Sequence, residues 1–369
     1  MTKIVIWAQS VCRSTMDLYR EVKRLRDDVG VTVVLRRDGR GEDVRKLREA
    51  QGQGDYSDVV DRVWDGKFES GVELLDLGAV HVFSGYQVNR AVRELMVEAK
   101  RRALRVVEYD EAPCEMCVGV KGALKRLYYA MILPMRVRRA VKAADLFISA
   151  SGNMGMDRLV RLGWKREAIV PFGYASGKLG ELGSGKWEEG KGKREGIPRR
   201  PKGGVAEGDA LVGVGRGLRV LHTGVEAKYR GVDVLKRAAA SLKRRGVELE
   251  VKFTGGKVDA AQLPRLYEWA DVVVACGLCE PWGMRVNDVL LEGIPVVVSD
   301  GMGAAMLCDE FGCGCVVPKG DANALATVLE RCANDREFLA HLRSGAKMAA
   351  AEIAPEKRAK VWLGKVLGE

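Results

Sequence analysis

Aromatic residues are scarce in this chain, 6% of 369, and it holds only three histidines and ten prolines. Its many basic residues therefore lack the aromatic platforms on which single-stranded nucleic acids stack, and no duplex-recognition motif stands among them. Nowhere do eighteen uncharged apolar residues run together, so the signal for a transmembrane helix is missing. The first residues, Met1-Thr2-Lys3-Ile4-Val5-Ile6-Trp7, make a short apolar run that stops at Gln9-Ser10. A secretory signal needs a longer stretch and a small-residue cleavage site, so this run reads as a strand. No Gly-Lys pair is followed by Ser or Thr, which removes the P-loop pattern. No Asp-x-Asp element follows a predicted strand and the histidines do not cluster, so no metal site is expected. Nine cysteines is an odd number. Cys114-x-x-Cys117 and Cys276-x-x-Cys279 stand about 160 residues apart, too far for a zinc ribbon, and read as reduced thiols of a cytoplasmic protein.

What is present is size, apolar content and positive charge. A chain of 369 residues, 47% hydrophobic, suggests two domains with a core in each. The net charge of +11 favours anionic partners: phosphorylated ligands, acidic lipid surfaces or nucleic acid. Apolar β-branched runs at 3–9, 32–37, 79–84, 105–109, 145–150 and 168–172 alternate with helical stretches such as 16–26, 88–103 and 154–162. Such alternation predicts a parallel sheet covered on both faces. From 176 to 217 the text turns to Gly, Lys, Glu and Arg with few large apolar residues, a flexible linker or surface insertion. Alternation then resumes with strands at 218–223, 248–254, 271–275, 294–299 and 315–317 and helices at 232–245, 263–270, 282–292 and 322–333. A helical tail follows. The expected division is a first α/β domain over 1–175, the linker over 176–217, a second over 218–350 and the tail over 351–369. Two doubly wound sheets would place a ligand in the crevice between them.

The block with most chemistry runs Glu280-Pro281-Trp282-Gly283-Met284-Arg285-Val286-Asn287-Asp288 and continues to Asp300. Glu280 stands at the mouth of a strand, Gly283 admits a ligand to the backbone, and the N–H groups starting at Met284 suit a phosphate. Glu280 and Asp288 are eight apart, which on a helix puts them on similar sides. A carboxylate accepts two hydroxyl hydrogen bonds, a usual grip on sugar rings. This block resembles the Glu-x7-Glu signature of the family-4 retaining glycosyltransferases, whose fold is called GT-B. The resemblance implies that Glu280 contacts donor-sugar hydroxyls and Asp288, shorter by one methylene than the usual Glu, the nucleotide ribose. The segment from Gly224 to Leu235 resembles the family's diphosphate-binding stretch. Arg230 matches its Lys, Lys228 substitutes for an Arg whose place Val225 occupies, and Gly224 belongs to the same loop. Val170-Pro171-Phe172-Gly173 resembles the family's domain-closing segment. Where many members carry a His, this chain has Glu108-Tyr109-Asp110-Glu111. Asp110 or Glu111 then orients the acceptor or takes its proton, with Glu111 preferred, and a solvated acidic turn is the plain alternative. Ser10, ending the first strand at the same crevice, is a further donor contact.

The resemblance implies a cytoplasmic transferase taking sugar from a nucleotide-sugar without metal or separate cofactor. Its acceptor would be a glycan or glycolipid hydroxyl, in surface polysaccharide or glycolipid synthesis. A nucleotide-sugar epimerase of the same fold and a non-catalytic basic nucleic-acid- or membrane-binding protein are the alternatives. Basic residues cluster over 121–142, around Leu127-Tyr128-Tyr129-Ala130-Met131-Ile132-Leu133, with Pro134 expected to break the helix. Two readings stand there: a segment resting on the anionic inner face of a membrane, or a helix with its apolar stripe in the core.

Overall fold

The computed structural model describes residues 2–10, 12–37, 56–113, 119–177, 217–223, 228–255, 258 and 262–369. The expected linker lies outside them, apart from Ser176, Gly177 and Gly217.

The first half builds a seven-stranded sheet in the order β3-β2-β1-β4-β5-β6-β7. Its strands are β1 (Thr2–Ala8), β2 (Val29–Arg36), β3 (Arg62–Trp64), β4 (Ala79–Phe83), β5 (Arg105–Asp110), β6 (Leu146–Ser149) and β7 (Ile169–Pro171), every neighbouring pair parallel. Parallel neighbours need crossovers, and amphipathic helices supply them on both faces. The sheet is therefore lined by two cores, one around Trp7, Phe83 and Phe147, the other around Ile6, Val107 and Ile148. The second half builds a five-stranded parallel sheet, order β12-β11-β10-β8-β9. It contains β8 (Leu218–His222), β9 (Leu249–Phe253), β10 (Val272–Ala275), β11 (Val296–Ser299) and β12 (Gly314–Val317). These two α/β domains have the GT-B architecture that the sequence leads one to expect.

In each sheet the strand order reverses beside the first strand, and the loops leaving adjacent strands there splay apart. Such a switch point is where open α/β sheets bind ligands. It lies between β1 and β4 in the first sheet and between β8 and β10 in the second. Asp271, just before β10, is buried and holds that corner, accepting hydrogen bonds from the Arg219 guanidinium and from Arg343 Nη2, the latter at 3.1 Å.

The halves meet over residues with no room for a larger side chain. Gly173, at φ +85°, has Trp282 so close that a Cβ would lie 2.2 Å from the indole. Buried Asn287 joins the two sides, donating to the Tyr174 carbonyl at 2.9 Å and accepting from Trp282 Nε1 at 2.8 Å. The last helix, Pro355–Leu367, returns to the first domain. There Ala359, Trp362, Leu363 and Val366 enter the core around Ile6, and Trp362 packs 6.0 Å from both Tyr19 and Tyr109. The segment expected as a tail is thus an integral layer of the first domain.

Pro134 does not break its helix. Helix Gly119–Leu127 passes through a π-helical turn, Tyr128–Ile132, into helix Leu133–Ala143. The Leu133 N–H reaches back to the Tyr128 carbonyl. The wide turn puts the proline at the start of a fresh α-helical register, where a missing N–H costs little.

Candidate functional site

Two loops at the second switch point build a narrow pocket. After β8 comes a 3-10 turn, Lys228–Arg230, then Gly231 at φ +69°. A Cβ on Gly231 would lie 1.9 Å from the Cys276 carbonyl oxygen, so glycine lets this loop close onto the end of β10. The Cys276 thiol donates to the Gly231 carbonyl at 3.0 Å and the Leu278 N–H to the Tyr229 carbonyl at 2.7 Å. Burial pushes that thiol up to about 11, so it stays protonated and structural. Arg230 is thereby fixed facing the loop after β10.

That loop carries Glu280. Its N–H donates to the Gly301 carbonyl at 2.8 Å, and an isolated bridge joins it to Met302. The helix begins only at Met284, after Gly283 at φ +105°. Arg230 Nη1 donates to Glu280 Oε1, an ion pair whose side chains are 23% and 13% exposed. Each partner keeps one buried polar atom unused, Nε on Arg230 and Oε2 on Glu280. A buried polar atom without a partner costs free energy, so this pair is a half-completed network. His222, Thr223, Cys276, Gly283, Arg285 and Met302 line the same pocket. Burial holds His222 below the usual imidazole range, so its ring is neutral near pH 7.

The other expected donor contacts distribute differently. Asp288 sits on the helix, with Oδ1 3.5 Å from Ser176 Oγ, and is not part of the pocket wall. Glu280 precedes the helix, so its eight-residue spacing from Asp288 does not run along one helix. Met284 is the first residue of that helix, beside the pocket wall rather than in it. Gly224 and the Lys228 side chain lie outside the described residues. Arg285, which sequence reasoning passed over as a helix residue, is a second guanidinium in the pocket.

Across the crevice, the first switch point forms a cavity of about 450 Å³. Its walls include Gln9 and Ser10 after β1, Gly85 after β4, Asp110 at the end of β5 and Glu111 just beyond it. Pro281, neighbour of Glu280, lines it from the other domain. Asp110 accepts from the Gly85 N–H at 3.0 Å and the Glu111 N–H at 2.8 Å. Burial nevertheless outweighs those bonds and raises its carboxyl to about 7. Glu111 is also raised, mainly by burial and further by the charge of Glu280, against a Tyr174 hydroxyl that donates to it at 3.1 Å. One side chain behind this wall was given no role in the sequence reading. Glu108 is fully buried on β5 and pushed well above the carboxylate range, mainly by desolvation and then by Asp110. An acid inside an apolar strand was the available signal. Among the described residues no group of three or more His, Cys, Asp or Glu could hold a metal ion.

Comparison with known proteins bears on this geometry. Residues 217–335 match the family described as glycosyl transferases group 1. No curated protein matches the chain in sequence. Among solved structures, Anabaena HepE in complex with UDP is similar over 100% of both chains, at 15% identity and a TM-score of 0.62. Sucrose-phosphate synthase from Thermosynechococcus elongatus is similar over 100% of this chain and 98% of its own, at 14% identity and 0.60. A Neisseria meningitidis UDP-GlcNAc 2-epimerase bound to UDP-GlcNAc, at 9% identity and 0.53, shares the fold over 100% of both chains. Residues 217–335, which hold the Arg230–Glu280 pocket, thus match the group 1 glycosyl transferase family, and the chain as a whole shares the GT-B fold.

Proposed function

We propose that this chain, a glycosyltransferase by its second domain, is a retaining, metal-independent enzyme moving a hexose from a nucleotide-sugar to an acceptor hydroxyl. The observation that carries the reading is the Arg230–Glu280 pair with one unused buried atom on each side. A sugar hydroxyl completes Glu280 Oε2, and a diphosphate oxygen completes the guanidinium. Arg285 and the free amides at Gly283 and Met284 share the charge of the leaving diphosphate, as fixed donors do in a site closed to water. Lys228 is assigned to the same phosphates and Asp288 to the nucleotide side. The UDP-bound and UDP-GlcNAc-bound structures of similar fold support a nucleotide ligand here.

The acceptor hydroxyl occupies the first-domain cavity and bonds to the anomeric carbon from the same face that the diphosphate leaves, which keeps the configuration. The sugar–phosphate bond breaks as the new bond forms, and the acceptor proton passes to Asp110 or Glu111. A carboxyl near 7 is poised for proton transfer close to neutral pH. Surface polysaccharide or glycolipid synthesis on the inner face of a membrane is the setting proposed. Because an epimerase shares the fold, the deciding assay follows donor consumption with and without acceptor. The transferase reading requires acceptor-dependent turnover that Glu280→Gln removes. An isomerised sugar formed without acceptor would replace it with the epimerase reading.

A further inference from the structure

The helical run from 119 to 143 presents opposite faces to opposite media. Leu133, Val137, Ala140 and Val141 are buried against the first domain. Val120, Leu124, Leu127, Met131, Ile132 and Met135 are not, each between 45% and 78% exposed. Spacings of four, three, four and four from Val120 to Met135 align five of them in a continuous stripe. Isolated exposed apolar residues are ordinary, but a contiguous stripe on one helix marks a surface that something covers.

The stripe runs into a concentration of positive charge. Ile132, Met135, Arg136 and Arg139 follow the i, i+3, i+4, i+7 pattern of a single helix face. The two arginines, with Arg90 and Arg93, line a cavity of about 470 Å³. Arg93 is 8% exposed and spends Nη1 on the Tyr86 carbonyl at 2.8 Å. Arg136 donates to the Tyr128 hydroxyl at 3.0 Å. Glu94 and Glu98 line the same cavity, paired with Arg90 and with Arg101 and Arg102 respectively. Among the described residues no carboxylate forms an ion pair with Arg93, Arg136 or Arg139. Burial and the Arg136 charge both press against the protonated form of Arg93. Five guanidiniums face two carboxylates in this cavity, a surplus of positive charge that suits an anion, and beside an apolar stripe the matching anion is a phospholipid headgroup.

The same run reaches the cavity assigned above to the acceptor. Tyr129 lines that cavity, and Val88, 80% exposed, stands on its wall as well. We infer that the 119–143 helix docks on an anionic bilayer, its apolar stripe at the headgroup–acyl boundary and Arg93, Arg136 and Arg139 on lipid phosphates. The acceptor is then a lipid-borne hydroxyl entering past Tyr129. This last step rests on the transferase reading, whereas the docking does not.

Flotation of the full chain with vesicles tests it. Binding is expected to vesicles containing phosphatidylglycerol, to be absent with phosphatidylcholine alone, and to weaken as salt rises. A basic residue near such a surface is worth about fivefold in partitioning. Arg136→Glu with Arg139→Glu, and separately Leu124→Glu with Met131→Glu, should therefore each lower binding by at least about tenfold. All four side chains are exposed, so folding is spared, and thermal shifts with nucleotide-sugars should match the wild type. Failure of the wild type to float on anionic vesicles, or undiminished binding by either double variant, overturns the docking. Loss of nucleotide-sugar binding in the wild type overturns the transferase reading and leaves the docking standing.

Discussion

Replacing Glu280 by glutamine separates the chemistry of the pocket from its stability. The two side chains are nearly isosteric, and the amide oxygen still accepts from Arg230 Nη1. The folded state then loses the charge on one acceptor, about 1 kcal/mol, or a fall of roughly 2–4 °C in Tm. Alanine is more disruptive, because it leaves a guanidinium only 23% exposed without its partner. Breaking a fully buried pair costs about 3–5 kcal/mol, and partial exposure brings this case down to about 1–3 kcal/mol. Catalysis should order the variants differently. Glu280 Oε2 is buried without a partner and in the proposed reading takes a donor hydroxyl, and a hydrogen bond to a charged group is worth about 1.5–3 kcal/mol. Glu280→Gln should therefore lower kcat/KM by about 10- to 150-fold while its Tm falls by only those few degrees. Initial rates of donor consumption and thermal melts in one buffer give both quantities. A glutamine variant within about twofold of wild-type kcat/KM would refute the assignment. So would an activity loss that merely follows the unfolded fraction.

Asp110, with its carboxyl near 7, makes two pH predictions. If it takes the acceptor proton, the acid limb of kcat/KM has an apparent pKa near 7, and Asp110→Asn flattens it; a limb surviving in the variant excludes that role. Because the folded state holds this proton more tightly than the unfolded one, its contribution to stability falls between about pH 4 and 7. The asparagine variant should then gain stability over wild type as pH rises through that window, by a few kcal/mol at most at about 1.4 kcal/mol per unit. Urea unfolding at pH 5 and pH 8 measures it, and an equal difference at both pH values contradicts the argument. Trp362→Ala empties a fully buried site in the first-domain core and should cost about 3–5 kcal/mol in urea unfolding. A loss under 1 kcal/mol would mean that the last helix is not a layer of that core.

Much of this was legible because buried parallel strands are near-continuous apolar runs. Val296–Ser299 and Leu218–His222 announce themselves in that way. The β3 strand, Arg62–Trp64, does not, since three residues carry no periodicity. Helix Ala305–Phe311 is likewise too short to stand out beside a glycine-rich turn. Pro134 misled because proline's cost assumes an unbroken α register, and the π turn before it removes that assumption. The last helix reads as helical from its pattern, but the core it joins is built from residues 4–175, beyond local reasoning. In the site, Glu280 and Arg230 were recognisable from their blocks. Arg285 was hidden because a charge two residues into a helix looks solvated until the fold brings it to the same pocket as His222 and Arg230. Asp288 shows the converse, a spacing argument that holds on a helix and fails where one partner precedes it.

The most direct test of the Arg230–Glu280 cradle is a thermal-shift panel of UDP-, GDP- and ADP-sugars on wild type and Arg230→Ala. A ligand binding only the native state adds RT ln(1 + [L]/Kd), about 2.7 kcal/mol at a hundredfold excess over Kd. One nucleotide class should raise the wild-type Tm by several degrees, and the alanine variant should lose most of that rise. No shift with any donor, or an equal shift in both proteins, would contradict the account.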